Sequence, residues 1–255
     1  TPLNDTQTVA VTVTGTNDAP VISLETTAAV LDEDGETVLT PAIVDSASAA
    51  ITETNAVVTA SGTLTVVDTD LSDTVTATVE SVVASGTFTG TNPLSNDALK
   101  AMLTVTSGAI DADAGDQHNL TWAFNSGAAS AFDFLATGET LVLTYTVQAT
   151  DDDGTPLNDT QTVAVTVTGT NDVPVVTNNG AALAGTVVEA GSLDDGTAVA
   201  GTVTATGTLS VSDVDTGATR TWSIEGTPST TYGSIAIDAS TGVWTYTLDN
   251  ADTDT

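Results

Sequence analysis

Hard oxygen donors are the chemistry this chain offers, and they come in short clusters. Asp68-x-Asp70 returns as Asp213-x-Asp215, and Asn17-Asp18 returns as Asn171-Asp172. Asp151-Asp152-Asp153-Gly154 forms a third cluster. Asp32-Glu33-Asp34-Gly35 forms a fourth, with Glu189 as its nearest counterpart later in the chain. Spaced acids just past a strand place several oxygens on one loop. That suits Ca2+, which takes six to eight oxygens at about 2.3–2.6 Å in flexible geometry. Without a cation, the same carboxylates repel by about 1 kcal/mol per close pair even at water's dielectric. Asp-Gly and Asn-Asp also make ordinary turns, because their side chains bond nearby amides. The recurrence of the ordered set, more than any one cluster, points to metal.

Other chemistries are poorly supplied. The chain has no cysteine, one histidine (His118), and two basic residues, Lys100 and Arg220. Thiol catalysis, disulfides and cysteine-based zinc sites are excluded. A formal charge of −32 repels nucleic acid and anionic lipid, which are held through Lys and Arg. No apolar run approaches the ~18 residues of a membrane span, so direct membrane insertion is not expected. Glycoside hydrolysis needs a working pair of carboxylates. The acids here sit in repeated turns and linkers, so no enzyme is expected. His118 lies in a polar stretch and reads as a solvated loop residue. Trp122, Trp222 and Trp244 offer sugar-stacking faces, but Trp244 alternates with Tyr246 and Leu248 and reads as core, as Trp222 does beside Ile224.

Such acidity also opposes compaction. Disorder is excluded by the regular spacing of apolar residues, which make up 40% of the chain. A saline habitat would spread acids evenly, whereas bound cations explain their clustering.

The elements that position these clusters are strands. Residues 1–18, TPLNDTQTVAVTVTGTND, recur unchanged at 155–172, an offset of 154. SGTLTVVDTD at 61–70 aligns with TGTLSVSDVD at 206–215, an offset of 145. The simplest parsing makes 1–18 the last strand of a preceding repeat, 19–172 one complete domain, and 173–255 the truncated start of the next. Alternation predicts strands over 161–169, 140–147 and 243–248, with Val163, Val165 and Val167 on one face of the first. Asp34-Gly35, Asp153-Gly154, Asp195-Gly196 and Thr241-Gly242 punctuate the runs. One short helical turn is expected within 93–102. The fold class is all-β, and short alternating strands with regular turns indicate β-sandwich domains.

Two stretches carry a family resemblance. LTYTVQATDDDG followed by QTVAVTVTGTNDVP resembles the last two strands and linker of a cadherin repeat, with its Ala-x-Asp-x-x-Gly turn and Asn-Asp-x-Pro linker. TGTLSVSDVD through YGSIAIDASTGVWTYTLDN is similar to the VCBS-type and other cadherin-like repeats of giant RTX-type bacterial adhesins. The resemblance implies tandem immunoglobulin-like (cadherin-like) β-sandwiches with calcium at their junctions. Carried over by position, the first junction would use Asn17, Asp18, Asp68, Asp70 and Asp151. The second would use Asn171, Asp172, Asp213, Asp215 and Glu33, the last reaching from the upstream domain. Asp252 and Asp254 would serve a further junction. Gly15-Thr16 and Ala19 (Val173 in the second copy) replace acids or amides frequent in the family, and no acid-x-acid motif follows Trp122.

The resemblance further implies an extracellular, bacterial-surface extender that supports cell adhesion or biofilm formation. Its partners would be calcium and neighbouring repeats of the same chain. The alternative is a ligand-binding module, with 81–135 as an insert that recognises glycan or protein.

Overall fold

The computed structural model describes residues 3–33 and 38–249. The Asp34-Gly35 turn, Asp252 and Asp254 lie outside them. The chain is almost entirely β and divides into two units, 1–132 with 139–168, and 133–138 with 169–255.

The first unit begins with β1 (Val21–Ser23) and four short strands, β2 (Thr26–Thr27), β3 (Val30–Leu31), β4 (Val38–Thr40) and β5 (Ile43–Val44). It continues with β6 (Ser48–Thr52), β7 (Thr59–Val67) and β8 (Thr74–Gly86). Helix α1 (Asn96–Lys100) precedes β9 (Leu103–Val105), β10 (Ala109–Asp111) and β11 (Leu120–Asn125). The long strands β12 (Thr140–Asp151) and β13 (Asn158–Thr168) complete it. One sheet runs β1-β7-β11-β9 and another β10-β8-β12-β13-β6. In the second sheet β12 and β13 pair antiparallel from Thr140↔Thr168 to Thr150↔Asn158, and β6 joins β13 in parallel.

Period-2 alternation builds the core. Leu141, Leu143, Tyr145, Val147 and Ala149 of β12 are buried, as are Val163, Val165 and Val167 of β13. From the other sheet come Leu64, Val66, Leu120, Trp122 and Phe124. The two faces meet where the ring of Phe124 lies 6.4 Å from that of Tyr145. The Tyr145 hydroxyl donates to Leu99 O at 2.9 Å, which satisfies its one polar group and anchors α1. Ser95 caps α1 by accepting from Ala98 N at 3.2 Å, so the single helical turn falls where the sequence placed it.

The second unit holds β14 (Val175–Val176), β15 (Gly191–Ser192), β16 (Ala198–Val199) and β17 (Thr204–Thr208). It continues through β18 (Val211–Ser212), β19 (Gly233–Ile237) and β20 (Val243–Leu248), with a 3-10 turn at Gly180–Leu183. β17, β20 and β19 form its main sheet, while β14 pairs with β18. This repeats the order of the first unit's four-stranded sheet. In both, a tryptophan lies flat on a strand glycine. A Cβ on Gly62 would meet the Trp122 ring at 2.7 Å, and one on Gly207 the Trp244 ring at 2.6 Å. Each indole N–H is also satisfied, Trp122 by Ser46 O at 2.7 Å and Trp244 by Ala182 O at 2.9 Å.

His118 is not the solvated residue expected. Its backbone takes φ 57°, the one positive φ among described non-glycine residues. Nδ1 contacts Asp45 Oδ1 at 2.7 Å and Nε2 contacts Thr27 Oγ1 at 2.8 Å. Asp45 is buried and accepts also from Thr65 Oγ1 at 2.7 Å and Glu25 N at 3.0 Å. The polar stretch conceals this because its partners lie 73 and 91 residues away in sequence.

Two predictions follow from this packing. Gly62→Ala pushes a Cβ into the rigid Trp122 ring and lowers stability by roughly 1–3 kcal/mol, as an overpacking change does. A denaturant titration checks it, and no change would show that the ring moves freely. The second concerns acid. Burial raises the Asp45 pKa, but hydrogen bonds from His118, Thr65, Thr63 and the Glu25 amide outweigh it and hold it below the ordinary value. The unfolded chain then binds that proton more readily. Asp45 therefore contributes stability fully above the ordinary carboxylate value of about 3.9, and the contribution is lost as pH falls through its lower folded value. Asp45→Asn should destabilise near neutrality by about 1–3 kcal/mol and flatten the acid limb of a stability–pH curve.

Candidate metal centres

Three segments converge at one end of the first unit. They are the linker pair Asn17 and Asp18, the loop leaving β7, and the turn between β12 and β13. Asp18 N donates to Asp70 Oδ2 at 2.7 Å, and Asp70 N donates to Asp68 Oδ1 at 3.0 Å. Asn17 Nδ2 donates to Asp151 Oδ2 and to Thr155 O, each at 3.2 Å. Asp151 also accepts from Leu157 N at 3.1 Å, which fixes the turn. The five residues expected at the first junction thus fall into two hydrogen-bonded sets, Asn17 with Asp151 and Asp18 with Asp70 and Asp68, joined through the adjacent linker residues 17 and 18.

The local cause is plain. β7 is followed directly by Asp68, whose carboxylate caps an amide two residues on, the usual habit of Asp in a turn. β12 ends in Asp151, whose inward position in the alternation buries it.

Two polar atoms in this cluster are left over. Asp68 is only 2% exposed, and its Oδ2 is buried with no hydrogen-bond partner. Asn17 Oδ1 is likewise buried and unpartnered. A buried carboxylate oxygen without a donor is costly unless a cation compensates it. No basic side chain does so: among the described residues the single ion pair is His118–Asp45. The surroundings are negative as well. Desolvation raises the pKa of Asp73, and the charges of Asp153, Asp70 and Asp152 add to the rise. Nearby Asp152 is instead held down by the amide and hydroxyl of Thr74.

The second unit repeats the arrangement. Asp172 N donates to Asp215 Oδ2 at 2.8 Å, and Asp215 N donates to Asp213 Oδ1 at 3.1 Å. Asn171 Nδ2 turns to Asp172 O at 2.9 Å. Asp172 and Asp215 are buried, and Asp215 Oδ1 has no hydrogen-bond partner. These four residues line a cavity of about 380 Å3 with Ala136, Thr137 and Thr216. Asp133 and Asp172 present carboxylate oxygens within 4.8 Å of each other. Thr216 N donates to Phe134 O at 3.1 Å, which ties the loop carrying Asp133 in place.

Glu33 stands exposed in the turn after β3 of the first unit, apart from that unit's own cluster. Asp133 was missed. It stands alone between Phe132 and Phe134, without the Asp-Gly or Asp-x-Asp spacing that marked the others. The apolar residues around it, Phe132, Phe134 and Leu135, were the one readable sign of a packed loop, and Phe132 and Leu135 are buried. Glu53, buried just after β6, was also missed, since a single acid after a strand carries no pattern.

Both clusters offer only hard oxygens, with buried oxygens that lack donors. Carboxylate and amide oxygens are the donor type that a divalent cation of the calcium type takes, and within the second unit Asp133 and Asp172 bring carboxylate oxygens close enough to share one ion. A catalytic arrangement is less well furnished. Thr27, His118 and Asp45 form a hydroxyl–imidazole–carboxylate chain, as nucleophilic triads do. However, the Thr27 hydroxyl donates to Gln117 Oε1 at 2.6 Å, so its proton is not directed to the ring and no nucleophile is prepared.

No family model matches the chain, and no curated protein matches it either. No helix among the described residues is long and apolar enough to cross a membrane.

Asp68→Asn tests the orphaned carboxylate. The amide oxygen still accepts from Asp70 N, so in chelator stability should hold or rise, by up to about 1 kcal/mol from relieved repulsion. With calcium present, the same variant should lose the metal-dependent gain in melting temperature of the first unit. Equal destabilisation in both conditions would make Asp68 a turn residue only.

Proposed function

We propose that this chain is a calcium-stiffened extender segment of an extracellular bacterial surface adhesin, built from immunoglobulin-like, cadherin-type β-sandwich domains. What carries the proposal is the duplicated clamp. Twice, a linker Asp gives its amide to the second acid of an Asp-x-Asp loop, and twice a buried carboxylate oxygen is left for a cation.

The mechanism is mechanical. In the first unit an ion among Asn17, Asp18, Asp68, Asp70 and Asp151 ties the entering chain to two loops of the domain. In the second, an ion among Asn171, Asp172, Asp213, Asp215 and Asp133 ties the linker to the loop after β18. Bending the chain at either place would then cost metal–oxygen contacts. Extracellular calcium modules bind at roughly 10⁻⁴–10⁻³ M, so such a segment is slack in cytosolic calcium and stiff outside the cell.

The ligand-binding alternative has less support. Residues 81–135 are not a protruding insert. They supply part of β8, all of α1, β9, β10 and β11, and the buried Leu99, Leu103, Ile110, Trp122 and Phe124.

Calcium at about 100 times its Kd should stabilise each binding unit by about 2.7 kcal/mol. That corresponds to a rise in melting temperature of roughly 5–10 °C for the first unit and roughly 10–20 °C for the smaller second. Small-angle scattering should show a longer, less variable particle in calcium than in chelator. Identical melting and scattering in both would reject the proposal.

A further inference from the structure

Outside the acidic clusters, one group of side chains in the first unit is arranged for reaction. Thr27 Oγ1 lies 2.8 Å from His118 Nε2, and His118 Nδ1 lies 2.7 Å from Asp45 Oδ1. The Asp45 side chain is fully buried, and that of His118 is only 10% exposed. His118 holds this position at a positive φ of 57°, a conformation that is unfavourable for a non-glycine residue and concentrates at functional sites. Its amide donates to Thr65 Oγ1, which in turn donates to Asp45 Oδ2. The ring is thus fixed through its own backbone and through the carboxylate. With the Nδ1 proton given to Asp45, Nε2 is the nitrogen that accepts.

The hydroxyl also has an electrophile beside it. Thr27 Oγ1 is 2.6 Å from Gln117 Oε1, so the carboxamide carbon Cδ lies within about 4 Å of it. A near-attack pair sits at roughly 3–3.5 Å. As drawn, the hydroxyl proton goes to Oε1 and not to the ring. Gln117 is exposed, however, so its amide can make a half-turn about its last bond. Nε2 then donates to Thr27 Oγ1, and the hydroxyl proton swings to His118 Nε2. What separates this arrangement from a prepared nucleophile is one rotation of an exposed side chain, a motion of picoseconds to nanoseconds.

The contact also joins distant parts of the chain. Thr27 and Gln117 are 90 residues apart in sequence. The strand that carries Thr27, β2, is held to β5 by only two residue pairs.

We infer that Thr27 and Gln117 join in an intramolecular ester, formed once after folding, with His118 as its general base. Thr27 Oγ1 attacks Gln117 Cδ while His118 Nε2 takes the hydroxyl proton. The Oγ1–Cδ bond forms and the Cδ–Nε2 bond breaks. The proton passes from His118 to the leaving nitrogen, which departs as ammonia. Asp45 is a positioning residue that holds the ring and offsets its transient charge. No other reactant is needed. The product is a covalent clip from the short β2–β5 pair to the loop that leads into β11, in a chain with no cysteine for a disulfide.

Intact-protein mass spectrometry of the folded chain, followed from hours to days, tests this. The mass should fall by one ammonia, and digestion should yield one peptide pair joined through Thr27 and Gln117. Hydroxylamine, which cleaves esters but leaves side-chain amides, should separate that pair. Thr27→Val and Gln117→Glu keep the side-chain volumes and should lose no ammonia. Asp45→Asn, shown to be folded by circular dichroism, should form the link roughly 100-fold more slowly or worse. A purely structural role for Asp45 would leave the rate in the folded variant unchanged. An undiminished mass in the folded wild type overturns the inference. So does ammonia loss that survives in Thr27→Val, or conversion of Gln117 to glutamate with no joined peptides. None of these readouts depends on calcium, so the extender function stands or falls separately.

Discussion

The amide of a linker aspartate, given to the outer acid of an Asp-x-Asp loop, is the contact on which the acidic ends of both units depend. It appears as Asp18 with Asp70 and again as Asp172 with Asp215, at 2.7 and 2.8 Å. The inner acid of each loop then caps the outer acid's own amide. One oxygen in each loop, Asp68 Oδ2 in the first and Asp215 Oδ1 in the second, is buried with no hydrogen-bond partner. A loop built this way holds its shape through the backbone while part of its charge stays uncompensated.

The rest of the first unit can be understood as the scaffold that delivers three chain segments to that point. β7 and β12 belong to different sheets, and each delivers an acid of the cluster, Asp68 just after β7 and Asp151 at the end of β12. Their ends come together because the sheets share a core of alternating Leu, Val, Tyr, Trp and Phe residues. With few aromatics, placement is set by a handful of rings. Trp122 needs the bare backbone of Gly62 beneath it, and Tyr145 needs the carbonyl of Leu99. These constraints fix where the strands end, and so where the acids meet.

Much of this was legible in the sequence. β12, β13 and β20 follow directly from alternation, because a period of two has one buried face and the apolar residues mark it. The members of the first cluster were legible from repetition of the motifs and their resemblance to cadherin-like repeats. What escaped was of two kinds. Asp133, Glu53 and the Asp45–His118 pair are single polar residues whose partners are distant in sequence, and no local spacing announces them. Residues 3–18 are the opposite case. Their pattern announces a strand as clearly as 157–172 does, since the two are identical. A strand, however, is a relation between segments, and its hydrogen bonds need a neighbour.

That contrast also separates what is local from what is not in this chain. The Asp18–Asp70 clamp forms although residues 3–16 before it pair with no strand among those described. The linker's geometry therefore does not depend on the strand that precedes it. It depends on the loop that follows β7 and on Asp151. Conversely, β13 reaches its full length between β12 and β6, and its last residue, Thr168, lies three residues before Asn171. Strand pairing sets where the linker starts, and carboxylates set how it is held. Under the proposed function, a cation at the carboxylates would act on the second without disturbing the first.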